Sequence, residues 1–153
     1  MIINATGSIL DSAAEAIVIP CNCVGVTGAG LALAASKRWP EAADAYRLAC
    51  KEKRLWPGQL TTTQEYPCNE GKWIIWLATK DHWRNKSVLD KIAVGCYTLR
   101  LEVDEYGWDS IAIPALVCGC GGLRWDDVRP LIESAFADWQ GTVHLYAPGS
   151  ERQ

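Results

Sequence analysis

The sequence predicts an α/β domain with a mainly parallel central sheet and helices on both faces. Three observations predict it. Short runs of β-branched and apolar residues recur without the polar alternation of a half-exposed sheet, so they read as strands buried on both sides. Segments of helical periodicity separate these runs, with no internal repeat and no linker. Two glycine-rich stretches each follow a buried strand and precede a helix, and open parallel sheets take ligands at the carboxyl ends of their strands.

Taken in order, Met1 to Thr6 reads as a first short strand ending in the turn Gly7-Ser8, and Ala16 to Cys21 as a fully buried one. The glycine-rich segment Gly25 to Gly30 follows. Leu31 to Trp39, rich in alanine and leucine, reads as a helix that Pro40 ends. Pro40 suits the first position of a second helix, Glu41 to Arg54, in which Ala42, Ala45, Tyr46 and Ala49 recur at helical spacing. Pro57-Gly58 is a turn, and Gln59 to Gln64 a polar, threonine-rich strand. Trp73 to Ala78 is the strongest strand signal in the chain, followed by a polar loop from Lys80 to Lys86. Ser87 is expected to cap a helix reaching Tyr106, with Val88, Ile92, Cys96, Leu99 and Val103 on one face. Ser110 to Ala115 is a buried strand leading to the second glycine-rich loop, Cys118 to Gly122. Trp125 to Trp139 is a helix, and Val143 to Ala147 the last strand.

Length and composition narrow the function. The chain has 153 residues, which suits one domain spanning 1–153, and no second, toxin-binding domain is expected. The formal net charge of −3 provides no global basic field for a polyanion, so only a local groove would serve a nucleic acid. No run approaches the ~18 apolar residues of a membrane span, and the N-terminus lacks a leader pattern. A soluble, cytoplasmic monomer with no membrane partner is expected. The seven cysteines occur mostly inside apolar runs, and the two C-x-C pairs lack the spacing of a structural zinc site. They read as small buried hydrophobes in a reducing compartment, and neither metal nor cofactor is expected. Eight tryptophans against one phenylalanine are unusual, so some indoles must fill core positions or sit at a binding surface.

Bare backbone N–H groups and a helix N-terminus aimed at an anion are what a phosphate needs. Gly28 and Gly30 in the first loop, with Gly119, Gly121 and Gly122 in the second, suggest a pyrophosphate held from two sides. Neither loop has the spacing of a Walker motif, and the first is not G-x-G-x-x-G.

Three blocks carry a resemblance. Asn22-Cys23-Val24-Gly25-Val26-Thr27-Gly28-Ala29-Gly30-Leu31-Ala32-Leu33 is similar to N-C-V-G-V-M-G-K-G-I-A-L, a signature of one macrodomain subgroup. Thr79-Lys80-Asp81-His82-Trp83-Arg84-Asn85-Lys86-Ser87 resembles its T-K-x-H-W-R-x-x-S. Ile111 to Trp125 resembles its I-A-I-P-P-L-G-C-G-L-G-G-L-x-W. The subgroup comprises DNA ADP-ribosyl glycohydrolases of the DarG type and terminal ADP-ribose protein glycohydrolases. The blocks occur in family order over nearly the whole chain.

The resemblance implies a macrodomain-type three-layer sandwich, ADP-ribose as ligand, and hydrolysis of an ADP-ribosyl bond, with single-stranded DNA as the modified macromolecule. It implies that Asn22 contacts the distal ribose, as a carboxamide both donates and accepts. It implies a ligand-binding set of Ser8, Ile9, Asn22, Gly28, Gly30, Leu31, Trp83, Cys118, Gly119, Cys120, Gly121 and Gly122. Ser8 stands where many macrodomains carry an adenine-binding Asp. Lys80 matches the subgroup's catalytic lysine. A desolvated amine loses its proton more readily, and a neutral amine forms a Schiff base with an opened sugar. Trp83 and Arg84 offer an indole to stack on, and a guanidinium to pair with, a nucleotide, and Arg84 with Lys86 makes a small basic rim. His82 is a structural residue or an acid–base group.

Four departures stand out. Ala29 replaces a lysine and Thr27 a methionine. Val117 replaces a glycine, which should hold the second loop away from a ligand because a β-branched residue disfavours positive φ. Gly121 stands where the protein-directed hydrolase carries a catalytic Asp, which favours DNA as substrate. Asp126 and Asp127 read as charges favoured by a helix N-terminus. The alternatives are a non-catalytic ADP-ribose reader, or a hydrolase for protein-linked or small-metabolite ADP-ribose.

Overall fold

A computed structural model describes residues 1–64, 71–118 and 121–150, so Cys68, Gly119 and Cys120 lie outside the described residues. The strands are β1 (Ile2–Asn4), β2 (Ala16–Asn22), β3 (Leu60–Gln64), β4 (Trp73–Lys80), β5 (Ser110–Ile113) and β6 (Thr142–Leu145). The helices are α1 (Gly30–Arg38), α2 (Pro40–Lys51), α3 (Leu89–Tyr106) and α4 (Trp125–Ala135).

The strands form one sheet in the order β1-β6-β5-β2-β4-β3. All neighbours are parallel except β3, which runs antiparallel to β4 at the edge. The most apolar strands are central, where both faces must be covered. Along β2, Ile17, Ile19 and Cys21 face one core with Trp39, Ala43 and Tyr46 of the α1–α2 layer. Ala16 and Val18 face the other, with Ile92 and Leu99 of α3 and Val128 and Ile132 of α4. This is the expected three-layer sandwich.

Local chemistry sets most boundaries. Trp39 is buried and ends α1 where Pro40, at the first position of α2, cannot continue it. Gly107 closes α3 in the left-handed region at φ 69°, which a residue with a Cβ adopts only at a cost. Asp126 and Asp127 occupy the first turn of α4, as its dipole favours.

The α2, β5 and β6 elements end two or three residues earlier than expected, at Lys51, Ile113 and Leu145, and four further departures stand out. Ser87 does not cap α3: Val88 precedes it without a side-chain cap, and the Ser87 hydroxyl is buried with no partner among the described residues. Its N–H instead donates to the Gly121 carbonyl, tying it to the second glycine loop. A 3₁₀ turn, Ile9–Asp11, follows β1, with Ser8 Oγ accepting the Leu10 N–H. The α4 helix stops at Ala135, so Trp139 lies beyond it and packs on Phe136. Finally, β4 continues two residues past Ala78 and makes Lys80 its last member rather than a loop residue. The tryptophans divide: Trp39, Trp76 and Trp108 are core, with Trp76 stacked on Tyr46, while Trp56 and Trp83 are about half exposed. No helix among the described residues is long and apolar enough to cross a membrane.

Candidate active site

All five parallel strands deliver residues to one cleft of about 1060 Å³ at their carboxyl ends. Gly7, Ser8 and Ile9 follow β1, Gly28 to Ala32 follow β2, and Thr79, Lys80 and Trp83 come from the end of β4. Val117, Cys118 and Gly121 follow β5, and Tyr146 to Ser150 follow β6. Peptide dipoles and helix N-termini converge at this end of such a sheet.

Lys80 is half-buried in the wall, and its amine has no partner among the described residues. A β-bulge puts it there. Cys21 pairs with Ala78 but Asn22 pairs with Lys80, so Thr79 is the extra residue, and its hydroxyl donates to the Cys21 carbonyl. Bulges re-aim side chains, and this one sets Lys80 beside Asn22.

The Asn22 carboxamide is buried and largely engaged. Its Oδ1 accepts N–H groups from Val24 (3.0 Å), Gly25 (3.1 Å) and Val26 (3.3 Å) and the Tyr46 hydroxyl (2.9 Å). Its Nδ2 donates to the Val26 carbonyl at 2.9 Å, which leaves one amide N–H for a ligand. Asn22 therefore folds the first glycine loop around itself. The groups behind it stay neutral, because burial pushes the Tyr46 hydroxyl and the Cys21 and Cys50 thiols up.

Beyond that loop, Gly28, Ala29 and Gly30 line the cleft and lead into α1, whose first turn lacks a side-chain cap. Its open N–H groups suit a phosphate. On the opposite wall, Val117 sits at φ 53°. The valine accepts the left-handed conformation that its β-branch disfavours, which stores strain in the loop, and it still lines the cleft. Gly121 is packed onto it: a Cβ at Gly121 would lie 2.6 Å from the Val117 carbonyl oxygen. An Asp therefore has no room at this position.

Ser8, Ile9, Asn22, Gly28, Gly30, Leu31, Lys80, Trp83, Cys118 and Gly121 all line the cleft. Gly122 does not; it is exposed at φ 79°, against the stem of Lys86. Sequence reasoning missed the Tyr146–Ser150 segment. The signal was Pro148-Gly149 directly after the last strand, at the carboxyl edge where such sheets bind ligands.

The Macro domain family matches residues 18–132, the span from the middle of β2 to the middle of α4. The chain belongs to the Macro domain family. The macrodomain of Mycobacterium tuberculosis DarG superposes with a TM-score of 0.93 at 37% identity, covering 97% of this chain and 99% of that one. The macrodomain of Thermus aquaticus DarG gives 0.90 at 32% identity, covering 97% and 99%. Thermosipho africanus DarTG in complex with ADP-ribose gives 0.88 at 29%, covering 96% of this chain and 41% of that one. The DNA ADP-ribosyl glycohydrolase of M. tuberculosis is 39% identical over 136 residues, 89% of this macrodomain and 39% of the relative. This chain thus spans well under half the length of the curated relatives it matches.

Proposed function

We propose that this macrodomain binds ADP-ribose and hydrolyses its bond to a nucleobase of single-stranded DNA. One observation carries the reading. The bulge at the end of β4 sets an amine, Lys80, beside Asn22 in a cleft flanked by two glycine loops. Support also comes from relatives of similar sequence that are DNA ADP-ribosyl glycohydrolases, and from the absence of room for an Asp at Gly121.

In this reading the first glycine loop and the N-terminus of α1 bind the pyrophosphate, Ser8 and Ile9 lie at the adenine end, and Cys118 and Gly121 face the phosphates from the opposite wall. Lys80 Nζ bonds to the anomeric carbon of the distal ribose and gives up a proton. The carbon–nucleobase bond breaks, and the base leaves with a proton. Opening of the sugar ring converts the adduct to a Schiff base. One water hydrolyses that imine, releasing ADP-ribose and restoring the amine. The chain, residues 1–153, works here as one domain and as a cytoplasmic monomer, a setting that suits its free thiols.

The test is release of ADP-ribose from ADP-ribosylated single-stranded DNA by wild type and by Lys80→Ala, beside calorimetry with free ADP-ribose. Wild type is expected to release it and the variant to lose about 100-fold or more in rate, as for loss of a covalent nucleophile, while still binding ADP-ribose. Binding without release by either protein would leave a reader, or a hydrolase for another acceptor.

A further inference from the structure

Among the described residues there are seven arginines, and six of them pair with a carboxylate: Arg38, Arg47, Arg54, Arg100, Arg124 and Arg129. Arg84 is the seventh. Its guanidinium lies over the Trp83 ring, 4.8 Å from the centroid, and Trp83 lines the mouth of the cleft. The indole is also flanked by His82 at 5.0 Å, and His82 Nδ1 accepts the Arg84 N–H at 3.1 Å, so the turn holds both groups in place. Lys86 is exposed and lays its stem along Gly122, at the end of the second glycine loop. Segment 80–87 carries Lys80, Arg84 and Lys86 against a single acid, Asp81, in a chain of net charge −3.

An exposed cation that pairs with no acid and rests on an aromatic face is presented to solvent at fixed geometry, suited to an external phosphate. The position is informative. Lys80 ends the strand inside the cleft, and Trp83, Arg84 and Lys86 lie on the turn that leaves it. An acceptor joined to the distal ribose at Lys80 would extend outward past this turn.

We propose that Arg84 and Lys86 form a phosphate subsite for the polynucleotide strand flanking the modified base, separate from the ADP-ribose pocket and reading no sequence. The inference rests on the proposed action on DNA, and it names the part of the substrate that is not ADP-ribose. Backbone cations position a strand without specifying bases, and each phosphate contact on a single strand contributes about 0.7 to the salt slope of binding.

The experiment compares wild type with R84A, K86A and the double variant on two substrates: an ADP-ribosylated oligonucleotide, and an ADP-ribosylated nucleoside that lacks the strand's 5′ and 3′ phosphates. The ratio of kcat/KM for oligonucleotide over nucleoside is expected to fall about tenfold in the double variant, and the salt slope on the oligonucleotide by about 1.4, about 0.7 for each of two contacts. An unchanged ratio would overturn the subsite, and so would equal losses on both substrates. If wild type cleaves neither, the proposed reaction fails, and the subsite is judged on binding of a fluorescent oligothymidylate to wild type and double variant. Salt-dependent binding that the double variant loses upholds it. Equal binding, or none by wild type, overturns it.

Discussion

At the scale of single residues, Asn22 and Val117 show how this cleft is built. The resemblance assigned Asn22 to ribose, yet four of its five hydrogen bonds run through Oδ1 to its own loop and Tyr46. Its truncation is therefore a stability experiment as much as a binding one. Asn22→Ala strands three loop N–H groups, while the Tyr46 hydroxyl keeps the Asn22 backbone carbonyl as acceptor, and we expect a loss of about 2–3 kcal/mol in urea unfolding together with loss of ADP-ribose binding. A variant of unchanged stability that binds weakly would return Asn22 to a pure ligand contact. Val117 carries the opposite lesson. Its residue type argued against positive φ, and the fold imposes φ 53° because Leu123 N–H must reach the Val117 carbonyl and Gly121 packs beneath it. Nothing in the local sequence announced that contact.

Among the elements, β4 and α4 depart furthest from their sequence patterns. The pattern from Trp73 to Ala78 ended where apolar residues ended, but pairing with β2 carries the strand to Lys80. Register, not composition, ends a central strand. In α4, Pro130 lies at the sixth of 11 residues, exposed, where its missing N–H and its ring act against the helix. Pro130→Ala restores a donor to the Asp126 carbonyl, and we expect about 1–2 kcal/mol of added stability once the greater freedom of the unfolded chain is subtracted. A rise in thermal midpoint checks it, and a fall would mean that the proline's restriction of the unfolded chain outweighs the missing helix hydrogen bond. At the same end of the molecule, Arg100 of α3 reaches both Asp104 and Asp138, clamping the chain just beyond α4.

For the whole molecule, the cysteines contribute a common pH dependence. Burial pushes the Cys96 thiol up to about 12, and burial followed by the nearby Asp81 pushes Cys23 up to about 11; burial raises Cys21 as well. Each thiol has a folded value above its ordinary value of 9.0, so the unfolded chain ionises first as pH rises. The stability is whole below about pH 9 and is lost as pH climbs from 9 toward 12. At pH 10 the loss from Cys96 alone is on the order of 1 kcal/mol. Urea midpoints at pH 8 and pH 10 test this, and Cys96→Ala should flatten the difference. Midpoints that do not fall with pH would contradict the burial of these groups.

The layer order, the two loops and the family were legible in the sequence. Periodicity and glycine placement are local, and three ordered motif blocks survive any detail of packing. Lys80, Asn22 and the glycines were legible as types in a pattern. Their geometry was not. The bulge beside Lys80, the closed ring of bonds around Asn22, the strained Val117 and the wall from Tyr146 to Ser150 all depend on partners far away in the chain. Residue identity determines which backbone states are cheap. Only the packed sheet, by fixing register and closing the carboxyl ends of five strands on one another, determines which costly states the chain accepts and what they surround.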